Sequence, residues 1–334
     1  MASGMGGPHL IPVTLAVNEY DHVRDLASGA VSVEGVRLTC VHHPVEEIFH
    51  RFVRHREWEA SELSLAKYSS LRAAGDESLV AIPVFTSRAF RHSAIFVRAD
   101  GPVGDPAALA GGRVGIPEWT QTATVYARGV LEHEFGVRVA DVQWVQAGTN
   151  EPGRREGVSV DLPAGVSVTP EPDRTLNELL LAGELDAVIA AHPPAEFGGG
   201  RIVRLFPDYR AVEEASFRAS GVFPIMHVVA LRADLYEAAP WVAMNLFTAF
   251  EEAKRRSLER ATDANAPRFP VPWAPANAER AVEIFGEDPW PYGIEPNRRT
   301  LDWFLERAAE QGVCARRLAP EELFAPEVQD RFRV

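Results

Sequence analysis

Thr86-Ser87-Arg88-Ala89-Phe90-Arg91-His92-Ser93-Ala94-Ile95-Phe96-Val97-Arg98 opens as a polar, cationic loop and closes as a short apolar run. An apolar run bounded by polar residues fits a buried strand. The breaker cluster Asp100-Gly-Pro-Val-Gly-Asp-Pro106 ends it at once. A second run of the same kind, Pro224-Ile-Met-His227-Val-Val-Ala-Leu-Arg232, also carries a histidine at its polar edge. Two such strands, far apart in the chain, are what a two-lobed protein needs if its chain crosses between lobes twice. The cleft beside such crossings is a natural ligand site.

Working outward from the first stretch, short strands are expected near residues 13–17, 36–41, 61–65 and 79–84, with helices between them. After the break, strands are expected at 113–116, 142–145, 187–190 and 202–206. Residues 146–172, rich in Gly and Pro, read as one long loop. A helix follows at 175–182 with Asp173 as its N-cap. Beyond the second crossing come a long helix at 239–261 and a clean amphipathic helix at 298–311 carrying Leu301, Phe304, Leu305 and Ala308. This order predicts an α/β protein of two lobes joined by two crossing strands. The first lobe is 1–98 plus 229–334 with the C-terminal helices, and the second, 99–228, is inserted.

The chain has 334 residues, enough for two domains, and at 46% hydrophobic and 24% charged it is ordinary globular material. A net charge of −13 argues against nucleic acid as the main partner. A small anionic ligand remains compatible with it, because an arginine cluster can sit in an acidic protein. No run of about 18 apolar residues predicts a membrane span. Residues 1–12 carry neither a basic nor an apolar leader segment, so the expected compartment is the cytoplasm. Cys40 and Cys314 read as buried free thiols. A homo-oligomer is neither required nor opposed by any feature of the sequence.

Dinucleotide, P-loop, zinc-protease and α/β-hydrolase signatures are all absent. What chemistry there is lies on loops near the crossings. Arg88 and Arg91 could hold carboxylates through paired guanidinium hydrogen bonds, or form surface ion pairs. Thr120-Gln-Thr122-Ala-Thr124 sits where a strand becomes a helix, so Thr122 either helps bind an anion or caps the helix. His92, His192 and His227 each lie at a strand edge and could transfer protons near neutral pH. Together they could alternatively hold a divalent metal, although no carboxylate stands at ligand spacing. Arg154 and Arg155, in the long loop, could close over an anionic ligand, or be a solvated charge run. Glu19, Tyr20, Glu62 and Ser64 are candidates for recognising hydroxyl groups, with structural caps as the alternative.

Six motifs in order then carry a family resemblance: Ser87-Arg-Ala-Phe-Arg-His-Ser93; Gly115-Ile-Pro-Glu118 with Thr122-Ala123; Arg128-Gly129; Glu151-Pro-Gly-Arg-Arg-Glu156; Phe223-Pro-Ile-Met-His227; and Asp288-Pro-Trp-Pro-Tyr-Gly-Ile294. Over about residues 15–324 the chain resembles 4,5-dihydroxyphthalate decarboxylase and its relatives. The resemblance implies a fold like the type II periplasmic binding proteins. It also implies non-oxidative loss of CO2 from a hydroxylated aromatic carboxylate, with protocatechuate as the product of 4,5-dihydroxyphthalate and no organic cofactor. On this reading Arg88, Arg91 and the Thr122 helix end hold carboxylates. His227 or His92 protonates the ring carbon, and Glu19 or Glu62 accepts from the phenol. His192 stands where the family pattern has an arginine, and Gln146 to Thr149 also depart from it, so the substrate is open to variation. The competing expectation is a non-enzymatic binding protein for an aromatic or dicarboxylic acid.

Overall fold

The structure is a computed structural model in which residues 10–329, except 159 and 267, are described. Among the described residues, eleven strands form two sheets. In chain order they are β1 (Ile11–Ala16), β2 (Val36–Val41), β3 (Ala60–Ser64), β4 (Leu79–Arg88), β5 (Ile95–Arg98), β6 (Arg113–Ile116), β7 (Gln143–Gly148), β8 (Val168–Thr175), β9 (Ala187–Ile189), β10 (Ile202–Arg204) and β11 (Ile225–Arg232). The first sheet runs β2-β1-β3-β11-β4 and the second β10-β5-β9-β6-β7-β8. β1 is parallel to β2 and β3, whereas β11 is antiparallel to both β3 and β4.

The two crossing segments lie side by side at the hinge. Ile225 is in register with Arg88 and His227 with Ser87, and the Ala89 amide donates to Pro224 O at 3.2 Å. The sequence boundaries at 98/99 and 228/229 differ from the sheet membership. β5 already pairs with β9 and β10 in the second sheet, and all of β11 belongs to the first. The chain therefore crosses between Arg88 and Ile95, and returns between Arg204 and Ile225.

Every residue of β3 is buried, including Ser61, Glu62 and Ser64. Polar groups in a strand covered on both faces must find partners inside the protein. β4 is the sheet's edge, and it contains Pro83, which cannot donate to a ladder. The segment after Asp288 covers that edge. Trp290 Nε1 donates to Phe85 O at 2.8 Å and the Gly293 amide to Pro83 O at 2.9 Å. Gly293 has φ 90°, a conformation that glycine adopts without strain. The Asp288–Ile294 motif is thus a brace for β4.

Helix Arg298–Glu310 buries the apolar stripe expected of it. Its contacts reach the second lobe as well as the first. Trp303 stacks on Tyr126 at 5.3 Å, and Arg128 Nε donates to Gln311 Oε1 at 2.8 Å. Gly129 permits this approach, since a Cβ there would sit 2.5 Å from the Trp303 ring.

In the second lobe, three elements differ from the sequence expectation. β8 forms within the supposed loop at 146–172, pairing in parallel with β7. The helix after it, Leu176–Leu181, is capped by Thr175 in a reciprocal arrangement with Glu178, not by Asp173. Helix Tyr209–Ser220 fills the return crossing, capped by Asp208 and stopped by Gly221 at φ 67°.

Candidate active site

Glu62 sits at the centre of the first sheet with no exposed surface. Three side chains converge on its Oε1. Tyr20 OH donates at 2.6 Å, Thr86 Oγ1 donates at 2.9 Å, and His227 Nδ1 lies at 2.6 Å. The Asn18 amide donates to Oε2 at 3.0 Å. Each partner comes from a different element: the turn after β1, the distal part of β4, and β11. The β4–β11 register is irregular between His227/Ser87 and Val229/Ile82. Irregular pairing of this kind re-aims side chains beside functional sites, and Thr86 lies within it.

Burial alone would raise the Glu62 pKa. The His227 hydrogen bond and charge, the Asn18 amide and the Tyr20 hydroxyl outweigh it and hold the group below its ordinary value, as a carboxylate. Burial and the adjacent Glu62 charge push the Tyr20 phenol far above its ordinary value, so it stays a proton donor. A carboxylate can only accept, so His227 Nδ1 carries the hydrogen and Nε2 is left for other work. The His227 side chain is 15% exposed, and the Phe49 ring meets it edge-on at 4.8 Å.

Polar contacts link the lobes around this cluster. Ser64 Oγ and Thr122 Oγ1 are 2.9 Å apart, and Thr122 Oγ1 also accepts from the Ala66 amide at 3.0 Å. Thr122, the first residue of helix Thr122–Phe135, therefore caps a helix of the opposite lobe. Lys67 Nζ meets Glu118 Oε2 at 3.0 Å, while Arg154 reaches Glu118 Oε1 at 2.7 Å. His192 Nε2 meets Glu46 Oε1 at 3.1 Å. The His192 hydrogen bond holds the Glu46 carboxyl down to about 2, and the same bond raises the His192 pKa.

The remaining candidates fall elsewhere. Arg88 is buried between the rings of Phe85 and Phe223, and its Nη2 donates to Asn297 Oδ1 and Pro291 O. It braces the C-terminal segment instead of forming a fork with Arg91. Burial pushes the Arg88 and Arg91 guanidiniums down to about 10. Arg91 Nε points at Met226 Sδ, 3.2 Å away. His92 is buried against Glu134, with Nε2 3.0 Å from Oε2. Glu134 lies twelve residues along the helix from Thr122, which is roughly 18 Å. His92 and His227 are therefore at opposite ends of the second-lobe helix. The three histidines have three separate carboxylate partners, and among the described residues no group of three or more His, Cys, Asp or Glu could hold a metal. Glu19 and Arg155 are exposed. The Thr120 amide and hydroxyl, read as part of an anion pocket, bind the chain's own Glu156 carboxylate, as does the Trp119 amide.

Thr86, Glu46, Lys67, Glu118 and Glu134 were not singled out in the sequence. Thr86 stood in the deciding stretch, but nothing local showed that its hydroxyl would face Glu62. The carboxylates could have been sought as obligatory partners for buried cations.

No family model matches the chain. The 4,5-dihydroxyphthalate decarboxylase of Comamonas testosteroni is 39% identical over 327 residues, covering 97% of this chain and 99% of that protein. A protein of the same name from Pseudomonas putida is 40% identical over 210 residues, covering 62% of this chain and 81% of that protein. Among solved structures, the periplasmic aliphatic sulphonate binding protein SsuA from Escherichia coli superposes with a TM-score of 0.53 at 12% identity, covering 96% and 99% of the two chains. The desulfurization enzyme DSZB gives 0.50 at 15% identity, covering 95% and 97%. At such identities the likeness establishes the fold alone, that of the type II periplasmic binding proteins.

Proposed function

Because the chain belongs to the 4,5-dihydroxyphthalate decarboxylase family, we propose that it removes CO2 without oxidation from a hydroxylated aromatic carboxylate. The substrate is 4,5-dihydroxyphthalate or a close analogue, and the product from 4,5-dihydroxyphthalate is protocatechuate. The reaction needs a proton on the ring carbon that bears the departing carboxylate. A hydroxyl para to that carbon supplies electron density.

In this reading His227 Nε2 delivers the proton. A C–H bond forms at the ring carbon, the C–C bond to the carboxylate breaks, and its electron pair restores the aromatic ring as CO2 leaves. The substrate dianion plus one proton becomes the product monoanion plus CO2. His227 is left neutral and is reprotonated from solvent. Positioned proton transfer of this kind is worth roughly 10²–10⁴-fold.

Glu62 does not touch the substrate in this account, because it has no exposed surface and its Oε1 already accepts three groups. It fixes the His227 tautomer and stabilises the imidazolium. Tyr20 shares Glu62 Oε1 with His227. Ser64 and Thr122 mark where the lobes meet, and Arg154 and His192 supply positive charge at the other interlobe contacts, where a substrate carboxylate would exchange with Glu118 or Glu46. Arg88, Arg91 and His92 are left out of the chemistry, and Glu19 and Arg155 are left to solvent.

The observation that carries this reading is the buried Glu62 carboxylate 2.6 Å from His227 Nδ1 on the strand beside the crossing. Incubation with 4,5-dihydroxyphthalate in D2O should give protocatechuate with one deuterium at the carbon that lost CO2. The fold of the sulphonate-binding neighbours favours a second reading, a binding protein. Thermal stabilisation by the ligand without any product would select it.

A further inference from the structure

A groove of about 800 Å³ lies between helix Trp241–Thr262 and helix Ala274–Phe285. Phe223, Leu258, Val282, Phe285 and Trp290 line it, and none of Tyr20, Glu62 or His227 does. Helix Ala274–Phe285 has no fully buried residue, so the chain itself covers the apolar side of this helix only in part.

The loop that joins the two helices is apolar and faces solvent. Phe269 is 38%, Val271 60% and Trp273 78% exposed. Pro270 and Pro272 alternate with them and fix φ at their own positions, so the loop loses little freedom when it is bound. Trp273 has φ 61°, in the left-handed region that a bulky side chain enters only under strain. It therefore bears two costs, a strained backbone and an indole in water. A contact outside the chain would offset both.

We propose that a second copy of this chain supplies that contact, the Phe269–Trp273 loop of each copy seating in the groove of the other about a two-fold axis. The groove lining extends from Thr248 to Thr262 on the longer helix, roughly 21 Å, with the loop at one end. Two such hairpins packed antiparallel place each loop along the other's groove. Charge agrees with this arrangement, since Glu259 and Glu287 line the groove and Arg268 precedes Phe269 in the loop. So does area. At their exposures the three loop side chains present roughly 350 Å² of apolar surface. Reciprocal seating, with the groove lining it covers, buries roughly 1,100 Å² in total, above the ~1,000 Å² that a specific interface needs. A reciprocal contact also closes at two copies and leaves neither loop nor groove for a third. This interface is independent of the reaction proposed above.

Sedimentation velocity of the full chain between about 1 and 100 µM should show a dimer or an even-numbered assembly. Trp273→Ser removes the exposed indole, and Ala281→Trp fills the groove. Each should weaken association about ten-fold or more. Thr248→Trp, at an exposed lining position, serves in place of Ala281→Trp if that variant folds poorly. Mixed in equal amounts, the two variants should associate more tightly than either alone, because the groove of the Trp273→Ser chain is open and the loop of the filled chain is intact. A wild type that stays monomeric over this range, association that neither variant weakens, or a mixture no tighter than its components overturns the inference. So does a monomer that floats with phosphatidylcholine vesicles and loses that binding in Trp273→Ser, which assigns the loop to a membrane surface.

Discussion

Glu62→Gln is the change whose outcome the structure fixes most closely. The carboxylate has one oxygen accepting from three donors and the other from the Asn18 amide. A glutamine keeps one acceptor oxygen and gains an NH2 group. Turned to keep Tyr20, Thr86 and His227 bonded, it sets its NH2 against the Asn18 N–H. One buried donor is then unpaired, at about 1–3 kcal/mol. The other three bonds fall from charge-assisted to neutral strength, offset by relief from burying a charge. A net stability loss of about 1–3 kcal/mol is expected. For catalysis only the His227 bond counts. The share lost there, the difference between a charge-assisted bond of about 1.5–3 kcal/mol and a neutral one of about 0.5–1.5 kcal/mol, is about 1–1.5 kcal/mol and converts to roughly 5–13-fold in kcat. KM should stay within about three-fold, since removing a group that contacts only the catalytic side chain spares uniform binding. Initial rates of protocatechuate formation, beside a denaturant melt, measure both. A cooperatively folded variant retaining wild-type kcat, or losing KM alone, would refute the positioning role.

Three further outcomes follow from other sites. Arg88→Met should cost about 1–3 kcal/mol of stability through the lost Asn297 and Pro291 bonds and leave KM unchanged; a large KM rise at unchanged Tm would return Arg88 to substrate binding. His22, half-buried and packed between Tyr20 and Trp290, is pushed by desolvation from 6.5 down to about 4. The unfolded chain binds its proton first, so about 3 kcal/mol of stability should be lost as pH falls from 6.5 to 4, and His22→Phe should flatten that slope in pH-dependent melts. The Glu46–His192 clasp has two limbs. The depressed Glu46 pKa makes its contribution complete above 4.5 and lost as pH falls to about 2. The raised His192 pKa makes its contribution complete below 6.5 and lost as pH rises through the folded value. Small-angle scattering of the ligand-free protein should show most closure between pH 4.5 and 6.5, less so in high salt, and Glu46→Gln should remove the dependence.

The parts of this fold that were legible in the sequence are those where burial imposes a pattern. The apolar runs at Ile95–Arg98 and Ile225–Arg232 lie between polar edges, and the order of elements implied two crossings. β8 was hidden because it is an edge strand with Pro170 and Pro172 and no fully buried side chain before Thr175, paired through its backbone to β7. Helix Tyr209–Ser220 buries none of its residues fully, and its inward face at Val212, Ala215, Ser216 and Ala219 is made of small or partly buried side chains, so its apolar stripe is weak and its caps, Asp208 and Gly221, were the clearer signal. At the site, Glu62 was a candidate for hydroxyl recognition on a first-lobe loop and His227 a candidate for proton transfer at a strand edge, so the two stood apart. Their pairing was not legible, since it depends on β11 entering the sheet between β3 and β4. Arg88, Arg91 and His92 looked like one cluster because they are adjacent in sequence, yet each side chain leaves the loop in its own direction, to Asn297, Met226 and Glu134.

The most direct test of the account is turnover by His227→Ala alongside its binding of substrate. With 4,5-dihydroxyphthalate, the variant should form no protocatechuate above the uncatalysed rate while calorimetry still detects the bound acid. Protocatechuate formed at the wild-type rate would remove His227 from the chemistry and with it the role given to Glu62.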